Sequence, residues 1–180
     1  MSVPTYLALL RGINVGGKNC LAMRDLVGIF AKAGCTDVQT YIQSGNVLFR
    51  STRTVAESLP ARVTEQIAKR YGFRISVVLR TAEQLAAAVR NNPFSSIPPE
   101  MLHLYFLAGQ PDPLRVAHLD PDRSKPDTFV LQGREIYLHL PNGMGRTKLT
   151  NAYFDSKLDT ICTVRNWRTV LKLLELMSGI

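Results

Sequence analysis

Leu10-Arg11-Gly12-Ile13-Asn14-Val15-Gly16-Gly17-Lys18-Asn19 is the stretch of this chain richest in groups that could do chemistry. Glycines at 12, 16 and 17 leave backbone N–H groups uncovered, and such groups in a turn can close round a phosphate or carboxylate. Arg11 and Lys18 add positive charge, and Asn14 and Asn19 add orienting hydrogen bonds. The spacing Gly12-x4-Gly17-Lys18 covers most of a P-loop, but Asn19 stands where that motif needs a magnesium-binding hydroxyl. The next helical pattern also starts late for a P-loop, near Met23. A looser anion-binding loop is the chemistry these residues suggest. The bland alternative is a tight crossover, with glycines supplying positive φ and Lys18 in solvent.

The elements around the loop follow from periodicity. Thr5–Arg11 is a short apolar run that reads as a buried strand. Met23, Leu26, Val27, Phe30 and Ala33 recur at helical spacing, and Gly34 offers a left-handed cap. Asp37–Gln43 and Asn46–Arg50 read as strands about a tight Ser44-Gly45 hairpin. Pro60 suits only a first helical turn, so a helix is expected from an N-cap at Ser58 to Tyr71, ended by Gly72. Ile75–Leu79 is the fourth strand, completing β-α-β-β-α-β, the split βαβ pattern of a ferredoxin-like unit. Thr81-Ala82-Glu83-Gln84 is a capping box for a helix stopped by Asn91-Asn92-Pro93.

The pattern then restarts. His103–Ala108 reads as a strand, Pro113–Leu119 as a short helix, and Thr128–Gln132 and Glu135–Leu140 as strands about Gly133-Arg134. Leu149–Leu158 is a helix, Ile161–Val164 a strand, and Asn166 caps a closing helix with an apolar face of Trp167, Val170, Leu171, Leu174 and Met177. The expected fold is α+β: two tandem βαββαβ (ferredoxin-like) units with antiparallel sheets, linked by a helix. Residues 1–80 form the first unit, 81–100 the linking helix and loop, and 101–180 the second unit.

This topology places the candidate site. Strands 1 and 2 of such a unit run parallel, with strand 3 antiparallel between them. The end of strand 1 and the turn between strands 2 and 3 therefore share an edge. Arg11, Gly12, Asn14, Gly16, Gly17, Lys18 and Asn19 are expected beside Gln43, Ser44 and Asn46, with Tyr41 offering a phenol or a stacking face. A second glycine loop, with Gly143, Gly145, Arg146 and Lys148, follows a strand and precedes a helix, and is the lesser candidate. The two loops share a cleft only if the units dock in a way the sequence does not fix.

Charge agrees with an anionic partner. The net charge is +8 and the pI about 9.7. Residues 1–90 carry twelve Lys/Arg against five Asp/Glu, whereas residues 91–180 carry ten against nine. The first half is therefore the expected anion-facing half. Cys20, Cys35 and Cys162 lie too far apart for a metal or redox motif, and His103, His118 and His139 are equally scattered, so no metal and no cofactor is expected. No run is long and apolar enough to span a membrane, and a cytoplasmic location is the default.

Four motifs resemble a known family. Leu-Leu-Arg-Gly-Ile-Asn-Val-Gly-Gly at 9–17, Thr-Tyr-Ile-Gln-Ser-Gly-Asn-Val at 40–47, Gly-Met-Gly-Arg-Thr-Lys-Leu at 143–149 and Arg-Asn-Trp-Arg-Thr-Val at 165–170 resemble the bacterial domain of unknown function 1697. The resemblance implies a bacterial cytoplasmic α+β protein with related half-units. It brings no assigned activity and no catalytic residues.

The residues thus favour binding of a small phosphate- or carboxylate-bearing ligand. An enzyme using the same pocket is the alternative, but Asp25, Asp37, Glu57, Glu65 and Glu83 all fit helix faces or strand starts, outside the loops. Catalytic residues are unassigned. Nucleic-acid binding ranks lower. The central strand Tyr6-Leu7-Ala8-Leu9-Leu10 is apolar on both faces, and Trp167 at helical spacing reads as core before it reads as a stacking platform. A homodimer through an edge strand is the remaining reading.

Overall fold

The computed structural model describes residues 3–179. The chain is α+β, with two four-stranded antiparallel sheets, and it divides into two compact units. One unit comprises residues up to Ala86 together with the chain from Leu173; the other comprises Ala87–Lys172.

The first unit contains β1 (Thr5–Leu10), α1 (Met23–Lys32), β2 (Thr36–Tyr41), β3 (Asn46–Arg50), α2 (Arg53–Tyr71) and β4 (Val77–Thr81). Its sheet order is β2-β3-β1-β4, with β1 pairing antiparallel to both β3 and β4. Side chains alternate faces along a strand. Tyr6, Ala8 and Leu10 of β1, with Val47 and Phe49 of β3, therefore pack together on the helix-covered face. There they meet Leu26, Ile29 and Phe30 of α1 and Leu59, Val63 and Ile67 of α2. Leu7, Leu9 and Leu48 point to the other face and are also fully buried, matching the two-faced apolar character of strand 1.

Two local expectations are corrected here. The second helix starts at Arg53, not after Ser58. Thr52 is its N-cap, accepting a hydrogen bond from the Val55 N–H, and Pro60 lies inside the helix. An interior proline removes one helical hydrogen bond and costs about 3 kcal/mol. The apolar stripe Ala56, Leu59, Val63, Ile67 runs straight past it and keeps both halves on the core. The β2–β3 connection is also wider than a Ser44-Gly45 hairpin. Tyr41 pairs with Asn46, and residues 42–45 form the turn.

β4 runs into α3 (Ala82–Arg90) through the expected capping box. The Thr81 N–H donates to Gln84 Oε1 at 3.0 Å, and the Gln84 N–H donates to Thr81 Oγ1 at 3.2 Å.

The second unit holds β5 (Leu102–Leu107), α4 (Pro113–Val116), β6 (Thr128–Gln132), β7 (Glu135–His139), α5 (Asn151–Leu158) and β8 (Cys162–Asn166). Its sheet order, β6-β7-β5-β8, repeats the first. Tyr105, Leu107, Ile136, Leu138 and Phe154 form its core, with the Phe154 ring edge-on to Tyr105 at 5.1 Å. The last helix, α6 (Trp167–Ser178), is capped by Asn166, whose Oδ1 accepts the Thr169 N–H at 2.8 Å. Its buried stripe is Trp167, Val170, Leu173 and Met177, whereas Leu171 is exposed and Leu174 half-buried, so Leu173 takes the place expected for those two.

The internal repeat includes an arginine that periodicity did not expose. Arg80 in β4 faces Leu7, and Arg165 in β8 faces Leu104, at the same point of each sheet. Both are buried, and each donates from Nη1 to the carbonyl of the preceding residue at 2.8 Å.

Candidate functional site

The glycine stretch is a miniature hairpin. Val15 and Lys18 form an antiparallel bridge, with the Lys18 N–H donating to the Val15 carbonyl at 3.0 Å. Gly16 and Gly17 sit between them with φ of +57° and +75°. Positive φ at both central positions is the demand of a type I′ turn, which glycine meets without steric cost. The geometry is unlike a P-loop, because α1 begins only at Met23 and its N-terminus is not at the glycines.

Two asparagines hold this hairpin in shape. Both are left-handed, Asn14 at φ +53° and Asn19 at φ +50°, a conformation asparagine tolerates better than most residues. The Asn14 side chain uses its whole amide. Nδ2 donates to the Leu21 carbonyl and to the Gln43 carbonyl, each at 2.9 Å, and Oδ1 accepts the Leu21 N–H at 2.8 Å. Asn19 Nδ2 donates to the Gly12 carbonyl at 2.9 Å, and the Cys20 thiol donates to the Gly17 carbonyl at 3.4 Å.

The bond from Asn14 to Gln43 ties the loop to the 42–45 turn, so the two segments do lie side by side. A second tie runs from the Leu10 N–H to the Gly45 carbonyl at 2.8 Å. Gly45 lies so close that an added Cβ would come within 2.7 Å of Leu10 Cβ and 3.1 Å of the Ile13 side chain. Asn46 is fully buried and spends its Nδ2 on the Tyr41 carbonyl at 3.1 Å and on Ser44 Oγ at 3.0 Å. Asn14, Asn19 and Asn46 thus build the site's frame. The groups left facing outward are the N–H groups of Gly16 and Gly17, which no hydrogen bond reaches among the described residues, and the exposed Lys18 and Gln43 side chains. Arg11 and Tyr41 are half-buried at the same edge.

The second glycine loop is a latch within its own unit. Gly143 has φ +77°, and its N–H donates to the Leu140 carbonyl at 3.0 Å. The Lys148 N–H donates to Ser124 Oγ at 2.9 Å, and Ser124 donates to the buried Asp127 carboxylate at 2.7 Å. The Lys148 carbonyl accepts Arg123 Nε at 3.0 Å, and the Arg123 guanidinium lies 4.1 Å over the Tyr153 ring. The following helix is capped by Thr150, so the loop's amides are not aimed from a helix end. Gly145, Arg146 and Lys148 are exposed.

A concave feature of the first unit lies away from both loops, between α1 and α2. A groove of about 340 Å³ has Gly28, Ile29 and Val63 at its base and Arg24, Lys32 and Arg62 among its lining residues. At one end Asp25 accepts the Tyr71 hydroxyl at 2.8 Å and Arg70 Nη2 at 3.3 Å. Those bonds, the tyrosine first, hold its carboxyl below the usual range, while burial and the same bond push the Tyr71 phenol up. Reading the sequence strand by strand did not find this groove. Its one linear signal is Gly28, a glycine in the middle of a periodic helix with cations four residues to either side.

The remaining candidates have structural roles. Trp167 is buried against the Tyr137 ring at 6.4 Å, and His118 Nδ1 lies 2.7 Å from the Leu114 carbonyl. Among the described residues no group of three His, Cys, Asp or Glu side chains could hold a metal ion. No described helix is long and apolar enough to cross a membrane.

The profile of a family described as "Protein of unknown function (DUF1697)" matches residues 3–137. That range takes in the first two sequence motifs and stops short of the two at 143–149 and 165–170. A solved structure of a conserved bacterial protein from Streptococcus pneumoniae is similar in fold, with a TM-score of 0.77 at 24% identity. The match covers 98% of this chain and 99% of the other. No curated protein sequence matches the chain.

Proposed function

The chain belongs to the DUF1697 family, and on that premise we propose that its first unit binds a small phosphate- or carboxylate-bearing ligand in the cytoplasm, at the glycine hairpin and the adjoining 42–45 turn. The observation that carries this reading is the Asn14 clamp. Three hydrogen bonds from one amide fix the hairpin against Leu21 and Gln43 while leaving the Gly16 and Gly17 N–H groups to solvent. Donors fixed before binding lose little entropy when an anion arrives. Lys18, beside them in the chain and exposed, supplies charge.

The site is open, so its affinity is modest. A hydrogen bond to a charged group contributes about 1.5–3 kcal/mol, so two or three supply about 3–9 kcal/mol, a Kd of roughly 6 mM down to a few tenths of a micromolar before the entropic cost of association weakens it. Screening over about 8 Å at physiological ionic strength makes the binding salt-sensitive.

The test is thermal stabilisation by pyrophosphate, citrate and nucleoside phosphates at low salt, on wild type and Lys18→Ala. A ligand at a hundred times its Kd adds about 2.7 kcal/mol. The reading requires a concentration-dependent shift in wild type that shrinks in the variant. It fails if no anion shifts wild type, or if Lys18→Ala responds equally.

A further inference from the structure

The α1–α2 groove is a second site, with its own chemistry. The helices run antiparallel across it, since Arg70 near the end of α2 reaches Asp25 at the start of α1, and Arg62 reaches the Ala33 carbonyl at the far end of α1 at 2.9 Å. Arg24, Gly28 and Lys32 form one stripe of α1, spaced four apart, and Arg62, Gln66 and Arg70 form the facing stripe of α2. Each stripe spans about 12 Å. Its ends are cationic and its middle is a glycine opposite a glutamine.

Gly28 makes the groove. An added Cβ there would meet nothing within 4 Å. Beneath it the buried Ile29 and Val63 give an apolar floor. The volume of about 340 Å³ is at the lower end of ligand-sized clefts.

The two ends differ. At the Arg24 end the Asp25 carboxylate is already engaged by Arg70 and Tyr71, and its charge repels an anion. At the other end no carboxylate among the described residues engages Lys32 or Arg62, and Arg62 spends one donor on the Ala33 carbonyl. Glu65, also lining the groove, pairs with no cation among the described residues and weakens the field there.

We propose that this groove binds a small amphiphilic anion, a carboxylate or phosphate monoester on a short apolar chain. Its head lies between Lys32 and Arg62, and its chain passes over Ile29 and Val63 beside Gly28. The site shares no residue with the glycine hairpin.

Titration calorimetry with octanoate, octyl phosphate and 1-octanol tests this on the full chain. Wild type should bind both anions saturably and octanol far more weakly. Gly28→Leu, which fills the groove from an open position, should abolish binding while keeping a cooperative melt. Lys32→Gln and Arg62→Gln should each weaken binding by about tenfold, the order of one charge-assisted contact, and Glu65→Gln should tighten it. Lys157→Gln, an exposed position of α5 in neither site, should bind as wild type does. The proposal is overturned if wild type binds neither anion, if octanol binds equally, if Gly28→Leu binds octanoate as tightly as wild type, or if Lys157→Gln weakens binding as much as Lys32→Gln.

Discussion

Gly45→Ala is the substitution for which the frame of the hairpin predicts most. The added methyl would sit 2.7 Å from Leu10 Cβ, which is fixed to the backbone, and 3.1 Å from Cδ1 and Cγ1 of the fully buried Ile13. Gly45 also has φ +80°. The left-handed conformation costs a non-glycine residue about 1–2 kcal/mol, and overpacking of this kind about 1–3 kcal/mol. Together they destabilise by about 2–5 kcal/mol, a large part of the roughly 5–15 kcal/mol of a typical domain. Gly16→Ala is the control. Its φ is +57° but a Cβ meets nothing within 4 Å, so only the conformational cost applies. Urea unfolding reads both, and with a slope near 2 kcal/mol/M the Gly45 variant should move the midpoint by about 1–2.5 M. Equal midpoints for the two alanines, or a Gly45 shift within about 0.5 kcal/mol of wild type, would refute the close approach of turn and strand.

Other outcomes follow from the same contacts. Asn14→Ala removes three hydrogen bonds at about 1 kcal/mol each and should destabilise by about 2–3 kcal/mol in chemical unfolding. Gly28→Ala, in a helix interior with open space around it, should stabilise by about 1 kcal/mol, seen as a raised Tm. The Asp25 carboxyl is held below its ordinary 3.8, chiefly by the Tyr71 hydroxyl, so its contribution is present above that pH and lost as pH falls through the folded value. Asp25→Asn should therefore be less stable than wild type at neutral pH and converge with it in acid melts. His103 is depressed below 6.5 by burial, and its Nδ1 has no partner. Stability that is full above pH 6.5 should decline as pH falls from there toward the folded value, and His103→Gln should flatten that slope in pH-dependent melts.

What could be read from the residues, and what could not, divides by range. Signals acting over three or four residues were legible: the Thr81–Gln84 capping box, the Asn166 cap and the left-handed Gly34 all have their expected geometry. The neighbourhood of the glycine loop and the 42–45 turn was legible too, because strand order alone dictates it. The start of α2 was not. The proline rule pointed to a first-turn Pro60, and an apolar stripe packed on the sheet outweighed it. The roles of the asparagines were hidden as well. Asn14, Asn19 and Asn46 read as ligand groups by type, but Asn14 and Asn46 bond across seven, twenty-nine and five residues to main-chain carbonyls. The α1–α2 groove needed two helices set side by side, which no window along one of them contains.

The most direct measurement is a ¹H–¹⁵N titration of the full chain with inorganic phosphate at low salt. Binding at the hairpin predicts saturable shifts at the Gly16, Gly17 and Lys18 amides, with the Gly72 and Gly133 turns unmoved. Shifts absent at Gly16 and Gly17, or equal at every exposed glycine, would contradict it.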